Sequence, residues 1–61
     1  MKAKVERYRI GGNEVLWVGE VPVAPRENEF ISLHPDNASF VTYRIDWDYS
    51  KTPIELTILV K

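Results

Sequence analysis

Few side chains in this chain of 61 residues have the types and spacing for chemistry. Asp46 and Asp48, two positions apart on an extended segment, share one face with their Cα atoms roughly 7 Å apart. Such a pair could begin a weak divalent-cation site, but an oxygen cage takes about 6–8 ligands, and two carboxylates alone read as solvated outward positions. His34, the one histidine, precedes Pro35 and lies close to Asp36. With no Ser or Cys beside it at nucleophile spacing, it reads as a turn residue and not a general base. A single imidazole excludes a His-pair zinc site, and the absence of cysteine excludes disulfides and thiolate metal sites. Gly11-Gly12 is too short to cradle a phosphate and no helix follows it, so it reads as a hairpin turn. Trp17, Tyr43, Trp47 and Tyr49 could stack on bases. Tyr43, Trp47 and Tyr49, however, alternate in phase with apolar neighbours, as core residues do. No catalytic residue, metal site or cofactor site emerges, and a non-enzymatic protein is expected.

The elements that must position these residues are strands. Seven Val and five Ile stand against three Ala and four Leu, and branched side chains fit a pleated surface better than a helix. Five strands are expected, over residues 2–10, 14–21, 29–33, 40–49 and 54–60. The first changes phase between Ala3/Val5 and Tyr8/Ile10, which suggests a bulge near Glu6-Arg7. Val15-Leu16-Trp17-Val18 is apolar on both faces, and Gly19 within that run suggests a bend or a bulge. His34-Pro35-Asp36-Asn37 has the residue types of a tight hairpin turn. In the fourth strand Val41, Tyr43, Ile45, Trp47 and Tyr49 are read as the core face, opposite Phe40, Thr42, Arg44, Asp46 and Asp48. In the fifth, Ile54, Leu56, Ile58 and Val60 oppose Glu55, Thr57, Leu59 and Lys61. No segment carries a capped helical period. Residues 1–61 are thus expected to form a single all-β domain without an α-helix, a five-stranded antiparallel meander curled into an SH3-like barrel.

From Val21 to Val60 the chain resembles small, sparsely characterised bacterial and phage-type proteins with an SH3-like barrel. The matching features are Val21-Pro22, Pro25-Arg26, Glu29-Phe30-Ile31 with Leu33, Tyr43-Arg44-Ile45 with Trp47, and a last strand Ile54 to Val60. Glu27-Asn28 stands where a glycine turn is more usual. The resemblance implies fold and size and carries no catalytic residue across.

Charge is uneven along the chain. Residues 1–9 carry a local +3 through Lys2, Lys4, Arg7 and Arg9 against Glu6, and the remainder carries −4. The plain reading is a basic strand beside acidic neighbours; the sharper one is a stripe for phosphates or an acidic partner. Leu16, Trp17, Val18, Phe40 and Leu59 form the candidate partner surface: Phe40 and Leu59 lie out of phase with the expected core, and on the second strand either Leu16 and Val18 or Val15 and Trp17 point outward. The expected function is a protein–protein interaction module, a small regulator, adaptor or inhibitor that works by covering a partner's surface, as a homodimer or hetero-complex and with a phage-type origin in view. The alternative is nucleic-acid binding through Lys2, Lys4, Arg7, Arg9 and Arg44, against which stands a sequence pI near 5.7. No apolar run reaches the ~20 residues of a membrane span, and the basic start lacks the apolar stretch of a signal peptide. A cytoplasmic protein, complete as given and making no membrane contact, is expected.

Overall fold

The computed structural model describes residues 1–33 and 38–61. Its elements are β1 (Lys2–Arg7), β2 (Glu14–Glu20), β3 (Phe30–Leu33), β4 (Ala38–Asp48) and β5 (Glu55–Val60), with no helix among the described residues. The spatial order is β2-β1-β5-β4-β3. Neighbours pair antiparallel except β1 and β5, which run parallel with Ala3 beside Leu56 and Val5 beside Ile58. The purely antiparallel meander is therefore corrected to a mixed sheet. A first strand and a last strand with apolar residues at matching positions bury each other best side by side at the centre, with β2 on one side of them and β4 and β3 on the other.

The sheet curls into a half-barrel. On its concave side Ala3, Val5, Leu56, Ile58 and Val60 form the buried core, and Leu16, Trp17, Val21, Ala24, Ile31, Leu33, Phe40 and Ile45 pack against it. Fully burying one aliphatic side chain contributes about 1.5–3 kcal/mol, so this small set carries most of the driving force. The alternation read in β5 is borne out for Leu56, Ile58 and Val60.

Two bulges set the curl: one falls beside Glu6, where the phase change in the first strand pointed, though its extra residue is on the facing strand, and the other, in β4, was not expected. Between β1 and β2 the register steps from Val5 opposite Trp17 to Glu6 opposite Val15, which leaves Leu16 as the extra residue on β2. Gly19 is neither a bend nor a bulge, since it stays in strand register opposite Ala3. It has Trp17 two residues away on the same face, and a Cβ at Gly19 would stand 2.5 Å from the indole; the glycine leaves room for the ring. In β4 the register passes from Thr42 opposite Val60 to Arg44 opposite Leu59, so Tyr43 is the extra residue. This shift reverses the phase of the strand. Phe40 and Thr42 therefore face inward above it, while Ile45 and Trp47 face inward below it, and the expected continuous core face of β4 is split.

The inward turn of Thr42 fixes the long loop. Its hydroxyl is fully buried, donates to the Arg26 carbonyl and accepts the Glu29 N–H. Asn28 N–H bonds to the Thr42 carbonyl, and Thr42 N–H to the Glu29 carbonyl. Residues 26–29 form a turn closed by Glu29 N–H on the Arg26 carbonyl, and Asn28 adopts φ 68°. Asparagine tolerates this left-handed conformation better than other side chains do, which is how the turn forms without the more usual glycine. At the opposite end of the loop, Val21 N–H bonds to the Met1 carbonyl.

The first strand ends at Arg7, short of Ile10, because Gly12 N–H closes a turn on the Arg9 carbonyl with Gly11 and Gly12 at φ 91° and 139°. The glycine turn was expected; its six-residue loop leaves Ile10 almost wholly exposed. Leu33 pairs with Ala38 across the β3–β4 hairpin, while the proposed His34-Pro35-Asp36-Asn37 turn lies outside the described residues.

Two substitutions test these supports. Thr42→Val keeps the shape but removes the hydroxyl's bonds to the Glu29 N–H and the Arg26 carbonyl, leaving those two only their long bond to each other, and is expected to lower unfolding free energy by about 1–2 kcal/mol. Gly19→Ala forces the Trp17 ring aside and is expected to cost about 1–3 kcal/mol, as overpacking does. Urea denaturation followed by tryptophan fluorescence measures both; an unchanged midpoint for either variant contradicts the role assigned to that residue.

Candidate functional site

The half-barrel is open along one side. Its outer strands, β2 and β3, do not pair with each other, and a groove of about 660 Å³ lies along the opening. Val5 and Ile58 form part of its floor, Trp17 and the 21–26 segment one wall, and Phe30, Ile31, Ser32 and Leu33 the other. The lining is mostly apolar, with Glu20, Arg26 and Glu29 as its charged members. Val23 and Phe30, at 69% and 74% exposed, leave large apolar surface at the rim. Proline at 22 and 25 removes backbone donors from the loop wall.

The expected partner surface is redistributed. Leu59 is 6% exposed, because β5 is a central strand and Leu59 sits between Glu6 and Arg44 on its neighbours. Phe40 is turned inward by the Tyr43 bulge, half-buried and packed against the core. Leu16, the bulged residue, and Trp17 are likewise half-buried against the core, with Trp17 in the groove wall. Val18 stays exposed on the convex face beside Lys4. These five side chains therefore do not form one patch. The rim residues Val23 and Phe30 were missed, since a polar-flanked loop and a four-residue strand give no periodic signal of their own.

The aromatic set is less buried than its phase implied. Trp47 is 45% exposed and Tyr49, beyond the end of β4, more so. Tyr43 occupies the bulge, with Lys61 Nζ 5.6 Å from its ring centroid.

The basic residues are matched by carboxylates. Lys2 lies 3.9 Å from Glu55, Lys4 3.1 Å from Glu6, Arg7 2.8 Å and Arg9 3.2 Å from Glu14, and Arg44 2.8 Å from Asp46. Lys2 and Lys4 alternate with the buried Ala3 and Val5, so they point to the convex face. Arg7 lies on the concave side, with its guanidinium 5.8 Å from the Phe40 ring centroid, and its buried Nε has no hydrogen-bond partner among the described residues. These residues form no single stripe; the plain reading, a basic strand paired with acidic neighbours, describes them.

Asp46 is occupied by Arg44 Nε at 2.8 Å, and Asp48 accepts the Ser50 backbone N–H at 3.0 Å and its hydroxyl. Among the described residues no three His, Cys, Asp or Glu side chains come together. His34 lies outside the described residues. No helix of the described chain is long and apolar enough to cross a membrane.

Hydrogen bonds from Arg7 and then Arg9 hold the Glu14 carboxyl below its ordinary value of 4.5. The Ser50 hydroxyl, then its backbone N–H, does the same to Asp48. A carboxyl whose folded pKa is depressed adds stability that is complete above its unfolded pKa and is lost as pH falls through the folded value. Glu14→Gln is therefore expected to lower the thermal midpoint at neutral pH and to match the parent once pH drops well below 4.5. Thermal melts across that range measure it, and a gap that persists at low pH contradicts the assignment. No protein-family model, curated protein or solved structure matches the chain.

Proposed function

We propose that the chain is a non-enzymatic protein-interaction module that seats an extended apolar segment of a partner protein in the groove between β2 and β3. The observation that carries this reading is the groove itself: mostly apolar in its lining and bordered by the two edge strands, β2 and β3, which do not pair with each other. Apolar grooves with a few polar rim groups suit extended segments, because alternate side chains enter the groove while the backbone stays at the edge. On this reading the half-barrel is an SH3-like barrel opened along one side, of the kind implied for small bacterial and phage-type proteins. It acts in the cytoplasm as a regulator, adaptor or inhibitor by covering its partner's surface. Nucleic-acid binding has less in its favour, since Lys2, Lys4, Arg7, Arg9 and Arg44 each already face a carboxylate.

Trp47→Phe leaves Trp17, in the groove wall, as the sole tryptophan. Titrating this variant with a display-selected set of extended apolar peptides is expected to give a saturable shift of Trp17 emission. Val23→Asp, at an exposed rim position, is expected to weaken binding at least about tenfold, because the charge must be desolvated without a partner. Oligothymidine at low salt is expected to leave the emission unchanged. Absence of saturable binding by any selected peptide, or binding untouched by Val23→Asp, overturns the proposal.

A further inference from the structure

The two edges of the half-barrel are not equivalent. β2 carries the Leu16 bulge and Glu at both ends, Glu14 and Glu20. An antiparallel pairing of β2 with its own copy, centred on Trp17, sets Glu14 against Glu20 twice. Bulges and charges of this kind are how natural proteins keep edge strands from joining. β3, Phe30-Ile31-Ser32-Leu33, has no charge, proline, glycine or bulge.

The hydrogen-bond alternation shows which backbone groups of β3 turn away from β4 and have no partner among the described residues. Thr42 N–H bonds to the carbonyl of Glu29, the residue directly opposite it when the Phe30–Val41 register is extended by one. In an antiparallel ladder hydrogen-bonded pairs alternate with non-bonded ones. Ile31 opposite Phe40 and Leu33 opposite Ala38 are then the bonded pairs. The N–H and C=O of Phe30 and Ser32 point away from β4. On the other side of β4, Val41 accepts Lys61 N–H, as the same alternation requires.

These free groups are disposed symmetrically about Ile31. We infer that the β3 edge is a homodimer site, at which two copies pair antiparallel about a two-fold axis through Ile31, with Phe30 of each opposite Ser32 of the other. Both residues of each such pair exchange N–H···O=C bonds, and the two Ile31 residues meet as a non-bonded pair, whose side chains approach most closely. The next pair outward sets Glu29 against Leu33, so no two like charges meet within the paired stretch. The exposed Phe30 ring is covered across the joint. This pairing rests on the backbone of β3 and not on occupation of the groove.

Sedimentation of the wild-type chain from micromolar to millimolar concentration is expected to show a rise from 7.1 kDa to twice that mass. Two double variants at exposed positions test the register. Phe30→Lys with Ser32→Lys sets like charges opposite each other in both pairs and is expected to weaken the dimer at least about tenfold. Phe30→Glu with Ser32→Lys sets opposite charges in the same two pairs and is expected to retain it. Circular dichroism shows that both fold. A wild-type chain that stays at 7.1 kDa throughout, or a dimer that persists equally in both double variants, overturns the inference.

Discussion

The parallel pairing of β1 with β5 is the constraint on which the rest depends. It places the two ends of the chain in the middle of the sheet, where each strand has a neighbour on both sides, and it sends the second strand of one hairpin and the first of the other to opposite edges. A domain of this size buries only about 60% of its unfolded surface, so its core must be compact. Ala3, Val5, Leu56, Ile58 and Val60 supply that core from just these two strands. The consequence is an opening: β2 and β3 curve toward each other without meeting, and the 21–29 segment must travel between them. The groove is what remains.

Thr42 joins the central sheet to that segment. The Tyr43 bulge turns Thr42 inward beside Val60, and its buried hydroxyl then holds residues 26–29 in place. Polar anchoring of a loop by one satisfied hydroxyl is inexpensive while every bond is made, and costly when one is lost. The groove wall therefore depends on a phase change in β4, and the inward position of Phe40 depends on the same change. Surface ion pairs have a smaller part. Those around Glu14 and Asp46 are exposed and screened by solvent, and the Glu14 pairs serve mainly to neutralise the basic residues at the end of the first strand.

Much of the fold was legible in the residues. β-branched composition, glycine at 11 and 12, and the apolar alternation of β5 located all five strands to within a few residues. The central pairing was not legible, because apolar periodicity gives the face of a strand and not the identity of its neighbours. The Tyr43 bulge was hidden because alternation continues in both phases around it: Phe40 before it and Ile45 after it are both apolar. Gly19 was visible as an anomaly, but its cause, the indole two residues away, needs the ring's direction. Of the candidate surface, Trp17 alone lies in the groove wall. Leu59 was misplaced since burial on a convex face comes from being central in the sheet, which no local pattern reveals. The loop wall beyond Val21 falls between the second and third expected strands, where no periodic pattern marks it.

The reading of an open edge beside the groove comes down to where the backbone of β3 points. Amide hydrogen exchange at single-residue resolution, at a concentration where the chain is monomeric, measures this directly. Ile31 and Leu33 are predicted to be protected and Phe30 and Ser32 to exchange at nearly unprotected rates. Protection of all four amides would mean that the edge is already covered, and the opposite alternation would place the pairing one residue out of register; either result contradicts the free edge on which the proposed pairing depends.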